Sequence, residues 1–448
     1  MTRTGAVLIA LALAGCATTE TKRPNAATGI ASVEVRRTPV SAEALNAIAA
    51  DYVRLSLEIG THEDGYIDAY YGSAAAKTAA EAAPRDKAAL LAATRDLMAR
   101  TDGAARRLSD PLDRRRAAFL RAQLRAAETR LLMMQGTRFA FADEAERLFG
   151  IRPRLKPLAS YDEGLAAIEA LVPGDGPLAT RVEAYLDGFT IPKHRLQKVF
   201  DVAIARCRGR SAAQIAMPAD ESFRLEFVTG KSWSGYNYYQ GAYHSLIQVN
   251  TDLPIRLSRA LDLGCHEGYP GHHLLNMKLE EKLVRERGWS EFSVYPLYSP
   301  QSLIAEGSAN YGIDLAFPGN SKADTERDIL IPLAGIAPPT DDRYWQLLKA
   351  IKAISGARLT IAQQYLDGAI DRPTAVALTE KYLLVSPQRA DQSVRFTEQY
   401  RSYVINYGLG EQLVRAAIER GKPSREEMWR RMAKIVSEPT LPSDLLGR

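Results

Sequence analysis

One octapeptide constrains this chain more than any other feature: His266-Glu267-Gly268-Tyr269-Pro270-Gly271-His272-His273. Three of the six histidines in 448 residues fall within it, with a glutamate beside the first. Imidazoles next to a carboxylate are the donor set of a catalytic zinc centre, where the metal makes a water acidic and the carboxylate removes its proton. Helical centres of this kind are normally spaced His-Glu-x-x-His, because four residues advance the chain by about 400° and bring both rings to one face. Here the fourth position after His266 is Pro270, which has no ligating group. In an unbroken helix His272 would lie about 120° away from the face of His266. His273 would share that face but sit ~10.5 Å along the axis, too far for two Zn–N bonds of ~2.1 Å. Pro270 removes a backbone donor and Gly271 admits torsions closed to other residues. The spacing therefore predicts a two-residue bulge at Pro270-Gly271 that returns His272 to the usual second-ligand place. His272 is the expected ligand and His273 the alternative; the remaining ring would support the site or meet substrate.

A third ligand should be a carboxylate on a neighbouring helix. Glu306, forty residues after His266, stands in the apolar run Leu303-Ile304-Ala305-Glu306-Gly307. A carboxylate in such surroundings needs a cation, and Gly307 permits close helix approach. Asp314 is the second candidate. Glu267 is the expected general base. A donor for the developing oxyanion is sought in Tyr400-Arg401-Ser402-Tyr403-Val404-Ile405-Asn406-Tyr407, where Tyr403 and Tyr407 share a helix face. Arg395 and Arg401 are candidate partners for a substrate carboxylate.

Periodicity and capping signals around this site are helical. Helices are predicted at about 42–59, 84–99, from Ser109-Asp110-Pro111 to about 134, and at 143–149, 161–171, 177–188 and 191–208. After the octet they are predicted at about 274–287, from Pro300, and at 321–333, 341–370, 373–384, 387–408, 411–420 and 424–437. Only 223–228, 235–240 and 244–250 alternate like strands. They form a small sheet just before the octet, whose edge and terminal Asn250 are candidate substrate contacts. The His62-Glu63-Asp64-Gly65-Tyr66 turn and His194 are read as structural, and Arg114-Arg115-Arg116 as a solvated face. The fold class is mostly α: a large helical, oligopeptidase-like body with a small β insert beside the metal helix. It divides into an N-terminal helical part, 41–215, and a metal-site part, 216–448.

The N-terminus has Arg3, then an apolar run from Ala6 to Leu13 too short for a permanent membrane span. It ends in Leu13-Ala14-Gly15-Cys16, which resembles a bacterial lipobox. That resemblance implies a cleaved signal over 1–15, lipid on Cys16 and a tether over 16–40. Ala17 after the cysteine favours the periplasmic side of the outer membrane. Cys207 and Cys265 remain. An oxidising compartment permits their disulfide, but they are read as two small buried residues. The 58 basic and 53 acidic side chains are evenly spread, which excludes a nucleic-acid partner.

The octet resembles the HExxPGHH signature of the bacterial family catalogued as domain of unknown function 885. Glu306-Gly307 is similar to that family's downstream Glu-Gly segment, Tyr407-Gly408-Leu409-Gly410 to its C-terminal Tyr-x-x-Gly element, and Gly65-Tyr66-Ile67-Asp68-Ala69-Tyr70-Tyr71-Gly72 to an N-terminal element of its lipoprotein members. Ser308 stands where an aromatic often follows Glu-Gly. The resemblance implies a helical, zincin-like peptidase fold, often exported. The expected activity is that of a lipid-anchored hydrolase with one Zn2+, cleaving a peptide or small amide. The alternatives are a zinc hydrolase of a non-peptide amide or ester, and a non-catalytic metal-binding lipoprotein. The only membrane contact expected is through the N-terminal lipid.

Overall fold

Capping side chains fix the starts of the first helices. In the computed structural model, which describes residues 40–447, Asp86 caps Lys87–Ala105 through the Ala89 N–H. Asp110 caps Pro111–Met134 by accepting from the N–H groups of Leu112 and Asp113, with proline in the first turn. Val40–Gly60 packs against both helices and buries Leu45, Ile48, Ala49, Tyr52 and Leu55. Phe141–Phe149 stops at Gly150, whose φ of 75° is left-handed. The expected signal, Cys16 and most of the tether lie outside the described residues. The described residues form one compact unit. It is mostly helical with little sheet, as the periodicity predicts. No helix among the described residues is long and apolar enough to cross a membrane.

The expected three-stranded sheet forms. Its central strand, His244–Asn250, pairs parallel with Ser222–Val228 and antiparallel with Gly235–Gly241. Gly235–Gly241 is thus an edge strand. It lies against the octet, where the Asn237 amide donates to the Glu267 carbonyl at 2.6 Å. A second ribbon, Ile67–Tyr70 paired antiparallel with Val294–Pro296, has no sequence prediction behind it. Strands of four and three residues are too short to show a period.

Two readings need correction. Arg116 is not part of a solvated face. It is buried and forks onto Glu291 at 2.5 and 2.9 Å, with Asn46 accepting at 2.7 Å. Arg116 stands four and seven residues before buried Leu120 and Gln123, so it falls on the buried face of its helix. Cys207 and Cys265 are not merely small and buried: they form a disulfide, with Cα atoms 5.3 Å apart. The helix Leu196–Ala212 crosses the octet's approach at Gly264, where a Cβ would stand 3.0 Å from Ile204 Cγ1. That close crossing brings the two sulfurs together.

Candidate metal centre

The octet is built differently from the expected bulge. The helix Leu257–Leu263 continues into a wider π turn over Gly264–Gly268. Tyr269 then adopts extended torsions (φ −131°, ψ 125°), and a new helix begins at His272. The residue before a proline is pushed out of the α region, so the first helix ends at Tyr269 rather than bulging. The new helix starts directly against the old one. A Cβ on Gly271 would lie 1.7 Å from the His266 carbonyl oxygen and 2.4 Å from that of Cys265. Only glycine fits there.

Two further glycines press the third element in. In Pro300–Ala316, a Cβ on Gly312 would meet Pro270 Cγ at 2.6 Å. On the other side, a Cβ on Gly307 would meet the Gly410 carbonyl at 2.5 Å. The helix is wedged between the octet and Ile405–Glu419, and its buried Glu306 faces the histidines.

His266 Nε2 lies 3.1 Å from His272 Nε2 and 3.1 Å from Glu306 Oε2, and His272 Nε2 is 3.8 Å from the same oxygen. Three tetrahedral donors at ~2.1 Å from a zinc ion would stand ~3.4 Å apart. Glu306 Oε2 is also buried without a hydrogen-bond partner. An orphaned carboxylate oxygen facing two imidazole nitrogens fits a divalent cation. Among the described residues these three are the group whose donor atoms converge in this way.

A second set of contacts orients the three. Asn310 donates its amide to the Tyr407 carbonyl at 3.1 Å, which turns Oδ1 towards His266 Nδ1 at 3.0 Å. The His266 Nδ1–H therefore donates to Asn310, and Nε2 is the nitrogen turned towards His272 and Glu306. Tyr403 donates its hydroxyl to Glu306 Oε1 at 2.7 Å, so Oε2 is the free oxygen. Tyr403 is expected as an oxyanion donor; in the structure its hydroxyl is engaged by Glu306. Burial works against the charged form of both rings. At His266 the Glu306 carboxylate outweighs it and lifts the imidazole to about 9; at His272 burial prevails and holds it at about 4.

Glu267 is buried beside these donors, and a Cβ on Gly235 of the edge strand would lie 2.7 Å from its Oε1. Burial raises its carboxyl to about 7, opposed by His266 and assisted by Glu306. The Tyr407 ring lies parallel to His266 with centroids 6.4 Å apart. Burial lifts its hydroxyl well above the ordinary value, so it stays a donor at neutral pH.

Other candidates go elsewhere. His273 points away from the cluster: Nδ1 meets Ser245 Oγ at 2.7 Å and Nε2 meets Glu221 Oε2 at 3.0 Å. Asp314 pairs with Lys352 and Arg415. Asn250 ties down the loop before the edge strand by donating to the carbonyls of Lys231 and Trp233. Arg401 is engaged by Glu144 at 2.8 Å, and exposed Arg395 by Asp391 at 3.1 Å. His62 meets the Arg85 carbonyl, and His194 is exposed.

Two residues near the centre escaped sequence reasoning. Asn310 is four residues after Glu306 on the same helix face, a spacing that could have revealed it. Asp68 accepts from the Tyr236 hydroxyl at 2.6 Å. Burial raises its carboxyl to about 7, against the Tyr236 hydrogen bond and with help from the Glu306 charge. It lines a groove of about 920 Å³ with Tyr238, Gln240, Leu246 and Gln248. No local pattern announces Asp68, because its strand is only four residues long.

No family model and no curated protein matches the chain. Two solved structures do. A candidate lipoprotein from Colwellia psychrerythraea has a TM-score of 0.47 and 11% identity, covering 81% of this chain and 70% of that one. An M32 carboxypeptidase from Deinococcus radiodurans R1 has a TM-score of 0.38 and 14% identity, covering 90% and 93%. At these values neither likeness speaks to the chemistry of the site.

Proposed function

We propose that this chain is a zinc-dependent hydrolase that cleaves peptide bonds, with His266, His272 and Glu306 as ligands and Glu267 as general base. The observation that carries the reading is the convergence of two imidazole Nε2 atoms and an orphaned carboxylate oxygen, with a second buried carboxylate beside them. A centre built only for stability would close its coordination with a fourth protein ligand and would need no such neighbour. A zinc ion held there would supply Lewis acidity and bring the pKa of a water towards neutrality.

The residues divide the remaining work. Glu267, free of any side-chain hydrogen bond among the described residues, takes a proton and returns it to the leaving nitrogen. Its carboxyl, near neutrality through burial, suits both transfers. Tyr407 keeps its proton and offers a hydroxyl to the oxyanion. Asn310 and Tyr403 hold two of the ligands in orientation. The edge strand Gly235–Gly241, which lies against the octet through Asn237, would pair with an extended substrate chain. We place the protein among exported lipoproteins of the family whose octet it resembles, anchored through Cys16 on the periplasmic side of the outer membrane.

The test is metal analysis joined to turnover. The purified protein should contain one zinc per chain and cleave members of a mixed peptide library. Glu267→Gln should retain the metal and lose at least ~10²-fold in kcat. Full activity in Glu267→Gln would refute the assigned base, and no stoichiometric metal would refute the reading as a whole.

A further inference from the structure

We propose that Arg358 binds the free carboxylate of a peptide's last residue, so that the centre removes residues from the C-terminus. This rests on the hydrolase reading above and gives it a substrate class.

Five other guanidinium groups packed into this fold set Arg358 in contrast. Arg116 has Glu291, Arg130 has Glu63, Arg256 has Glu183, Arg401 has Glu144 and Arg415 has Asp314. Arg358, half-buried on Ala357–Leu366, has no carboxylate within ion-pairing distance among the described residues, and its Nε is buried with no hydrogen-bond partner. Its guanidinium lies over two aromatic faces, 5.2 Å from the Phe396 centroid and 5.9 Å from that of Tyr407. Such faces attract a cation but accept no conventional hydrogen bond. An arginine does not shed its proton, and a buried guanidinium N–H without an acceptor is costly. The missing partner is an anion with two oxygens, which the planar fork of arginine suits.

Its place in the fold says which anion. Tyr407 adjoins both Arg358 and the centre, its centroid 5.9 Å from the guanidinium and 6.4 Å from the His266 ring. The guanidinium and a candidate ligand therefore border the same aromatic ring. In a peptide, the terminal carboxylate is one residue past the last peptide bond, about 3.8 Å between successive Cα atoms. A chain whose end rests on Arg358 presents that bond towards the histidines, with Phe396 and Tyr407 beside the last side chain. Hydrolysis there breaks the C–N bond, adds the water oxygen to the carbonyl carbon and puts the proton on the departing nitrogen. The products are a free amino acid and a peptide shortened by one. Arg259, also without a carboxylate partner, donates instead to Ser234 Oγ at 3.1 Å.

The experiment measures binding, so that it does not depend on turnover. Zinc-loaded Glu267→Gln protein is titrated with an N-acetylated tripeptide as the free acid and as the C-terminal amide. The acid should bind roughly 10²-fold more tightly, the scale for one buried charge-paired contact. Adding Arg358→Gln should abolish the preference, Arg358→Lys should restore part of it, and Arg259→Gln should leave it intact. Equal affinity for acid and amide, no binding of either, or a preference that survives Arg358→Gln would each overturn the proposal. The acid–amide comparison with Arg358 intact is decisive even where Arg358→Gln fails to fold. Zinc content is measured on the same samples. A preference for the acid in protein that takes up no zinc refutes the hydrolase reading and leaves the anion site standing.

Discussion

Replacing each of the two adjacent histidines by alanine should have opposite consequences. His272 Nε2 belongs to the converging trio, whereas both nitrogens of His273 are engaged elsewhere. Protein zinc sites bind with apparent free energies of about 10–16 kcal/mol from four ligands, so one ligand is worth about 3–4 kcal/mol. His272→Ala should thus weaken zinc ~10²–10³-fold. It should cost less stability in metal-free protein, because the ring is only partly buried and its one side-chain hydrogen bond is to His266. His273→Ala removes a fully buried ring and two hydrogen bonds. Glu221 keeps Arg208 at 2.6 Å and the Tyr269 hydroxyl, so no uncompensated charge is left behind. The loss is then two ordinary hydrogen bonds and an imidazole-sized cavity, about 3–4 kcal/mol. Zinc affinity is read by competition with a chromophoric chelator, and stability by chemical unfolding of metal-free protein. His273→Ala should be the less stable variant and bind zinc within a few-fold of normal. A large affinity loss in His273→Ala with little in His272→Ala would refute the assignment of the ligand.

Other outcomes stem from neighbouring contacts. Asn310→Leu should weaken zinc binding ~10–100-fold in the same competition, because it leaves His266 Nδ1 without its acceptor. Glu326 is fully buried, with one oxygen unpartnered and the other taking the Trp345 N–H at 2.9 Å. Burial raises it to about 7, against the Lys322 charge. A raised carboxyl favours the folded state below its unfolded value near ~4.5 and loses that contribution as pH rises through about 7. Glu326→Gln should therefore match the natural protein at pH 4 and exceed its stability by up to about 3 kcal/mol at pH 9, measured by urea unfolding at both pH values. The Cys207–Cys265 bridge closes a separation of 58 residues, which in the chain-entropy account contributes about 4 kcal/mol. Its reduction should lower the urea midpoint and, since Cys265 adjoins His266, loosen zinc as well.

Much of the fold was legible because its signals are local. Asp110-Pro111, Gly150 and Pro300 mark helix ends by capping and by proline's fixed φ, and these work within a single turn. Elements whose reason for existing is remote were not legible. The strand Ile67–Tyr70 is a strand because Val294–Pro296 pairs with it, and Arg401 belongs to Glu144 because the break at Tyr400 turns it there.

The octet shows the same division. The sequence alone determined that an unbroken helix could not bring two of its histidines to one ion, and that Pro270-Gly271 must interrupt it. That conclusion comes from helix geometry and from the torsions of two residues. It could not decide how the interruption is made or which ring is used, because both depend on what the second helix packs against. Gly271 seats that helix on the His266 carbonyl, the strand Ser245 draws His273 aside, and the Gly307 and Gly312 contacts bring Glu306 to the remaining nitrogens. These are contacts between segments far apart in the chain, and only tertiary packing sets them.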